Sequence, residues 1–140
     1  MDFPRGYQFF STRERGRWIE EVVSLRLQSA GLTVVDRNVE LAGAEIDIVA
    51  RGQDPLGEEL LIFLEVRSRS SSAYGLALQS IGPRKQRQII RAASAYLLGH
   101  DLWEKVAVRF DVVAVQIDLD ASHLEIEWIK DAFQGDCGLN

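Results

Sequence analysis

The hydrophobic positions change period several times along the chain, and each change marks an element. Between Ser11 and Gly31 the apolar residues Ile19, Val22, Val23, Leu27 and Ala30 recur at three- and four-residue spacing, which predicts one buried helix face. Ser11 or Thr12 is placed to cap the helix start, and Gly31 suits the left-handed residue after its end. At about 100° per residue, Glu20 falls beside Leu27 at the edge of the apolar stripe, whereas Glu21 falls beside Gln28 on the outer face. A second helical pattern, Ile89, Ile90, Ala93 and Leu97, runs from Pro83 to near Gly99, with proline at the helix start where its missing N–H costs nothing.

Strand-like runs fill the rest. Leu32 to Val39, Gly43 to Ala50 and Leu61 to Arg69 follow the first helix, and the turn-formers of GQDPLGEE separate the last two, so these three predict a meander. Val106 to Ile117 and Leu124 to Ile129 give a fourth and a fifth strand, and the Ser-rich stretch from Ser68 to Ser80 reads as a loop. Helix, three strands, helix, two strands implies an α/β or α+β fold with a mixed sheet flanked by helices. At 140 residues the chain fits one domain.

Charges interrupt two of the apolar strands. Alternation places Glu45 with Asp47 on one face and Glu65 with Arg67 on one face, with Ile46, Ile48, Leu64 and Val66 opposite. If the strands pair, three carboxylates and a guanidinium converge. Buried like charges repel and lose hydration, so such a group persists where a cation or a function holds it. A divalent metal is the sharp reading. Magnesium takes one or two protein carboxylates and keeps positions for water and phosphate, which Asp47 and Glu65 suit, with Glu20 completing the shell through a water. A metal so held activates water and offsets charge on a phosphoryl oxygen, so the chemistry expected is phosphodiester hydrolysis, with Arg67 binding the attacked phosphate. The bland alternative is an ion-pair network with Arg67 or Arg109, and Arg109 with Asp111 most simply pair with the acids or with each other.

Composition narrows the partners. Net charge is −5 and pI about 5.0, unlike a nucleic-acid coat protein. The average hides an asymmetry, because Val66 to His100 holds six bases (Arg67, Arg69, Arg84, Lys85, Arg87, Arg91) and no acid, whereas Asp101 to Asn140 holds nine acids and three bases. The basic stretch can face phosphates. A lone cysteine, Cys137, offers neither a disulfide nor a cysteine metal cluster, His100 and His123 lack ligand spacing, and no run approaches a membrane span, so a cytoplasmic location is expected by default. A small-molecule enzyme would need a glycine-rich phosphate loop or a nucleophile motif, and the sequence has neither.

RERGRWIEE, RNVELAGAEIDIVA, LIFLEVRSRSSSAYG, PRKQRQIIRAASAYL, VRFDVVAV and IEWIKDAF, in this order, closely resemble the bacterial YraN family from about Thr12 to Phe133. That family's fold is similar to Holliday junction resolvases, within the restriction-endonuclease-like PD-(D/E)XK superfamily. The resemblance implies a restriction-endonuclease-like, mixed five-stranded sheet at 12–133, with tails at 1–11 and 134–140. It implies a DNA endonuclease using Mg2+ or Mn2+ on branched or single-stranded intermediates, with Glu20 as the helix carboxylate and Asp47 and Glu65 as the strand acids. Arg67 is the expected phosphate group, and Arg69, Arg84, Lys85, Arg87 and Arg91 the expected DNA contacts. By analogy with resolvases the assembly is a homodimer. Two positions depart from the superfamily pattern: Arg67 stands where lysine is usual, and Ala44 where glycine is usual. Arginine stays protonated and serves only as a charge and a donor fork. A noncatalytic DNA-binding or adaptor module, serving a recombination or DNA-uptake partner, is therefore the alternative.

Overall fold

The computed structural model describes residues 3–69, 81–118 and 122–135. After a short 3-10 turn at Tyr7–Phe9, its elements are α1 (Thr12–Ser29), β1 (Thr33–Leu41), β2 (Ala44–Gln53), β3 (Glu59–Arg69), α2 (Pro83–Gly99), β4 (Ala107–Asp118) and β5 (His123–Phe133). The Ser11 hydroxyl accepts the Glu14 N–H, and the Glu14 carboxylate accepts the Ser11 N–H, which together cap α1. The helix ends before Gly31 at φ 91°. Ala30, expected in the buried stripe, is exposed because it already lies beyond the last helical turn. Pro83 opens α2 as predicted. The serine loop and Cys137 fall outside the described residues, apart from Ser68 and Arg69 at the end of β3.

The five strands lie in sequence order in one sheet. All neighbours are antiparallel except β3 and β4, which run parallel because α2 carries the chain back across the sheet. The protein is thus α/β, with a mixed five-stranded sheet and a helix on each face. On one face Ile19, Val23 and Leu27 of α1 pack on Ile48, Ile62, Leu64 and Val113. On the other, Ile89, Ala93 and Leu97 of α2 pack on Val49, Phe63 and Phe110. Ala42 (φ 53°) and Gly43 (φ 77°) form a two-residue turn of the primed kind, which matches the twist of the strands it joins and brings Leu41 opposite Ala44.

Asp111 is fully buried in β4. Its carboxylate accepts Arg109 Nε and Nη2 at 2.8 Å each, Trp128 Nε1 at 2.9 Å and the Asp131 N–H at 2.9 Å. Of the two pairings open to Arg109 and Asp111, the structure takes the one with each other. The register of β4 against β5 slips between Phe110 and Val112, and Asp131 takes a left-handed φ of 54°. One carboxylate therefore compensates for that irregularity and lets β5 run on to Phe133.

Replacing Asp111 with alanine strands the Trp128 and Asp131 donors and leaves Arg109 unpaired, at a cost of about 2–3 kcal/mol. Urea unfolding monitored by far-ultraviolet circular dichroism checks this; a loss below about 1 kcal/mol would show that the four bonds do not hold β5.

Candidate metal centre

β1 and β2 change direction together. Arg37 pairs with Ile48 and Val39 with Ile46, so Asn38 lies opposite Asp47. Asn38 adopts φ 51°, a left-handed conformation that asparagine tolerates better than most residues. Past this point alternation fails: Ile46 packs in the α2 cluster and Ile48 in the α1 cluster, although their spacing predicts a shared face. The kink at Asn38 and Asp47 is the physical reason, and Asp47 sits at the break. The ladder between β2 and β3 has Ile48 with Leu64 as its last pair toward this end. Beyond it the strands part, and Asp47 Oδ2 accepts the Val66 N–H at 2.8 Å.

Other carboxylates gather at the opening. Glu20 reaches it from α1 and accepts Asn38 Nδ2 at 2.9 Å, whereas Glu21 turns outward to Arg37 at 2.9 Å. Helix phase predicts this division. Oxygens of Glu20, Glu45 and Asp47 all lie within 4.8 Å of one another. Alternation places Glu45 on the face of Asp47 but the expected ligand set leaves it out; the geometry adds it to the group. Its spacing from Asp47 was the available signal. Glu65, with its side chain 12% exposed, stands on the α2 side and faces Lys85 Nζ at 3.8 Å. Arg67 is half-buried, and its Nε is buried with no hydrogen-bond partner among the described residues. Arg109, bound to Asp111, does not serve this cluster.

The electrostatics follow from burial. Loss of hydration, aided by the Glu65 charge, pushes Asp47 up to about 7; the Val66 N–H opposes the rise, and Glu45 and Glu20 add to it. Burial also raises Glu65, while Lys85, a hydrogen bond with Asp47 and the Arg67 charge pull it back. Clustered carboxylate oxygens are the donors that hard divalent cations such as Mg2+ and Mn2+ take, and an ion would relieve the repulsion that now favours a proton on Asp47. The residues therefore fit such an ion.

The remaining sequence candidates separate into two groups. Arg84, Arg87 and Arg91 are exposed along one side of α2, and Arg69 is exposed at the end of β3. Lys85, by contrast, turns inward to Glu65. Trp18 packs on Phe3 and Tyr7, and Trp128 donates to Asp111, so both act as packing residues. His100 stacks on Tyr96, and His123 pairs with Glu125. No helix among the described residues is long and apolar enough to cross a membrane.

Fold and site together define an α/β protein with a carboxylate cluster in the opening between two antiparallel strands. The chain belongs to Uncharacterised protein family UPF0102, the YraN family, whose model matches residues 19–115. Its relatives include a UPF0102 protein of Marinobacter nauticus, 38% identical over 89% of this chain and 96% of its own length. Another, from Legionella pneumophila, is 34% identical over 90% of this chain and 99% of its own. Among solved structures it is similar to an XisH family protein from Nostoc punctiforme, at 16% identity and a TM-score of 0.36, covering 79% of this chain and 98% of that one.

Raising Asp47 from 3.8 to about 7 means that the folded state keeps a proton which the unfolded chain releases. Stability from this group is therefore greatest at the acid end of the window, falls as pH rises from about 4 to 7, and is flat above. Asp47→Asn keeps an oxygen for the Val66 N–H and removes the charge. It should raise the Tm of the chelator-treated protein at pH 8 and flatten the slope of Tm between pH 4 and 7; a lower Tm at pH 8 would contradict the assignment.

Proposed function

We propose that this protein is a divalent-metal-dependent DNA endonuclease. The observation that carries the reading is the convergence of Glu20, Glu45 and Asp47 within 4.8 Å, beside Glu65. The resemblance to PD-(D/E)XK enzymes supports it through the order of the acids, one from a helix and two from neighbouring strands. Glu20, Glu45 and Asp47 would hold the ion directly or through water, with Glu65 beside Asp47 joining them. When bound, Mg2+ or Mn2+ neutralises charge on the attacked phosphoryl group and acidifies a water. DNA is the substrate because exposed Arg69, Arg84, Arg87 and Arg91 surround an otherwise acidic centre with phosphate-binding groups.

Arg67 and Lys85 divide the work that a single lysine does in the superfamily pattern. The half-buried Arg67 guanidinium would supply a fixed charge and donors for a phosphate oxygen. Arginine does not release its proton, so any proton transfer falls to Lys85, within 3.8 Å of Glu65, or to the carboxylates. The same replacement favours the second reading, a DNA-binding adaptor that keeps the fold and serves a recombination or DNA-uptake partner.

Cleavage of linear, flapped, single-stranded and four-way DNA with Mg2+ or Mn2+ tests the proposal. Asp47→Asn should lower turnover by about 10³-fold or more, the scale of losing a transition-state electrostatic group. Either metal should raise the Tm of the wild type and leave that of Asp47→Asn unmoved. A wild type that binds DNA but neither cleaves it nor responds to metal is the adaptor.

A further inference from the structure

α1 carries a glycine that its own fold does not require. Gly16 lies inside the helix, where glycine is the poorest former after proline. Its backbone is not left-handed, and a Cβ added there would meet nothing within 4 Å. Neither strain nor internal packing accounts for it.

Its surroundings supply a reason. Arg13, Gly16, Arg17, Glu20, Ser24 and Leu27 recur at three- and four-residue spacing and share one side of α1. Toward the C-terminal end that side is covered, since Ser24 and Leu27 are fully buried. Toward the N-terminal end it emerges: Glu20 joins the carboxylate cluster, and Arg13 and Arg17 are exposed. The bare backbone of Gly16 borders open space beside Arg13 and Arg17, one turn from Glu20. The neighbouring acids are engaged elsewhere, Glu14 in the helix cap, Glu20 with Asn38 at 2.9 Å and Glu21 with Arg37 at 2.9 Å; Arg17 lends Glu14 only its charge. Neither arginine forms an ion pair within 4.0 Å among the described residues.

We propose that this face of α1 is a second DNA contact, in which the sugar–phosphate backbone lies against Gly16 while Arg13 and Arg17 take phosphates on either side. Glycine is needed because only a residue without Cβ lets one backbone approach another this closely. α1 and α2 cover opposite faces of the sheet, so the Arg13 and Arg17 seat and the Arg84, Arg87 and Arg91 row grip DNA from both sides of the acid cluster. The inference shares with the proposed function only the identity of the ligand as DNA, and it holds for nuclease and adaptor alike.

The test uses the full chain, fluorescent duplex and four-way DNA with chelator present, and anisotropy at several salt concentrations. Gly16→Ala and Gly16→Gln should keep or raise Tm, because both residues favour helix and the space is open, yet Gly16→Gln should weaken binding about tenfold or more. Arg13→Ala and Arg17→Ala should each reduce the slope of log affinity against log salt by about 1. A folded Gly16→Gln that binds within twofold of wild type overturns the seat, as does a wild type that binds no DNA. The two readings fail separately. A wild type that binds through Gly16 without cleaving removes the nuclease and leaves the seat, whereas one that cleaves DNA equally well with Gly16→Gln removes the seat and leaves the nuclease.

Discussion

The hydrogen bond from the Val66 N–H to Asp47 Oδ2, at 2.8 Å, is the contact on which the architecture of this end of the sheet depends. A side-chain oxygen stands where a ladder carbonyl would be, so β2 can leave β3 without stranding a half-buried N–H. Freed from that ladder, β2 kinks opposite Asn38 and sends Ile46 and Ile48 into different cores. One short strand thereby anchors both helix layers, and the opening it leaves admits Glu20 from α1 and Lys85 from α2. The acid at the opening is also a member of the carboxylate cluster.

Two inward carboxylates in this sheet meet the loss of hydration in different ways. Asp111 receives four donors, including the Arg109 fork, and is sealed from solvent. Its desolvation is answered within the protein. Asp47 receives one backbone N–H and faces three other carboxylates. Such a deficit is costly for folding alone. A cation would answer it from outside, and a strand opening reached from both helices would give it a way in. Burial is common to both acids, and the balance of donors separates them.

The elements and the principal acids were legible because they rest on local chemistry. The α1 cap, Pro83 and the strand runs follow from spacing and turn residues, and the inward turn of Glu20 follows from helix phase. What escaped rests on contacts between elements. The left-handed Asn38 is tied to Glu20, eighteen residues away, and no local pattern announces that strict alternation will fail at Asp47. Arg109 had two plausible acidic partners in the sequence, and only the slip between β4 and β5 decides for Asp111. Lys85 is flanked by Arg84 and Arg87, but helix phase turns it alone toward Glu65. Charge counting merged five residues, and packing separates Lys85 from the other four.

The cations around Glu65 also set an order among the acids. Lys85 and Arg67 both favour its ionised form, whereas Glu45 and Glu20 add negative charge around Asp47. Of the coupled pair, Asp47 at the strand break is therefore the acid whose surroundings more strongly favour the protonated form. A divalent cation entering the cluster competes for that same oxygen pair and must displace the proton. Folding and ion binding would then pull on one group in opposite directions: a proton on Asp47 relieves the repulsion, and coordination of an ion would need the carboxylate charged. An arginine at position 67 suits this arrangement, because its charge does not vary as the proton leaves, and the asymmetry between the two strand acids is preserved in both states.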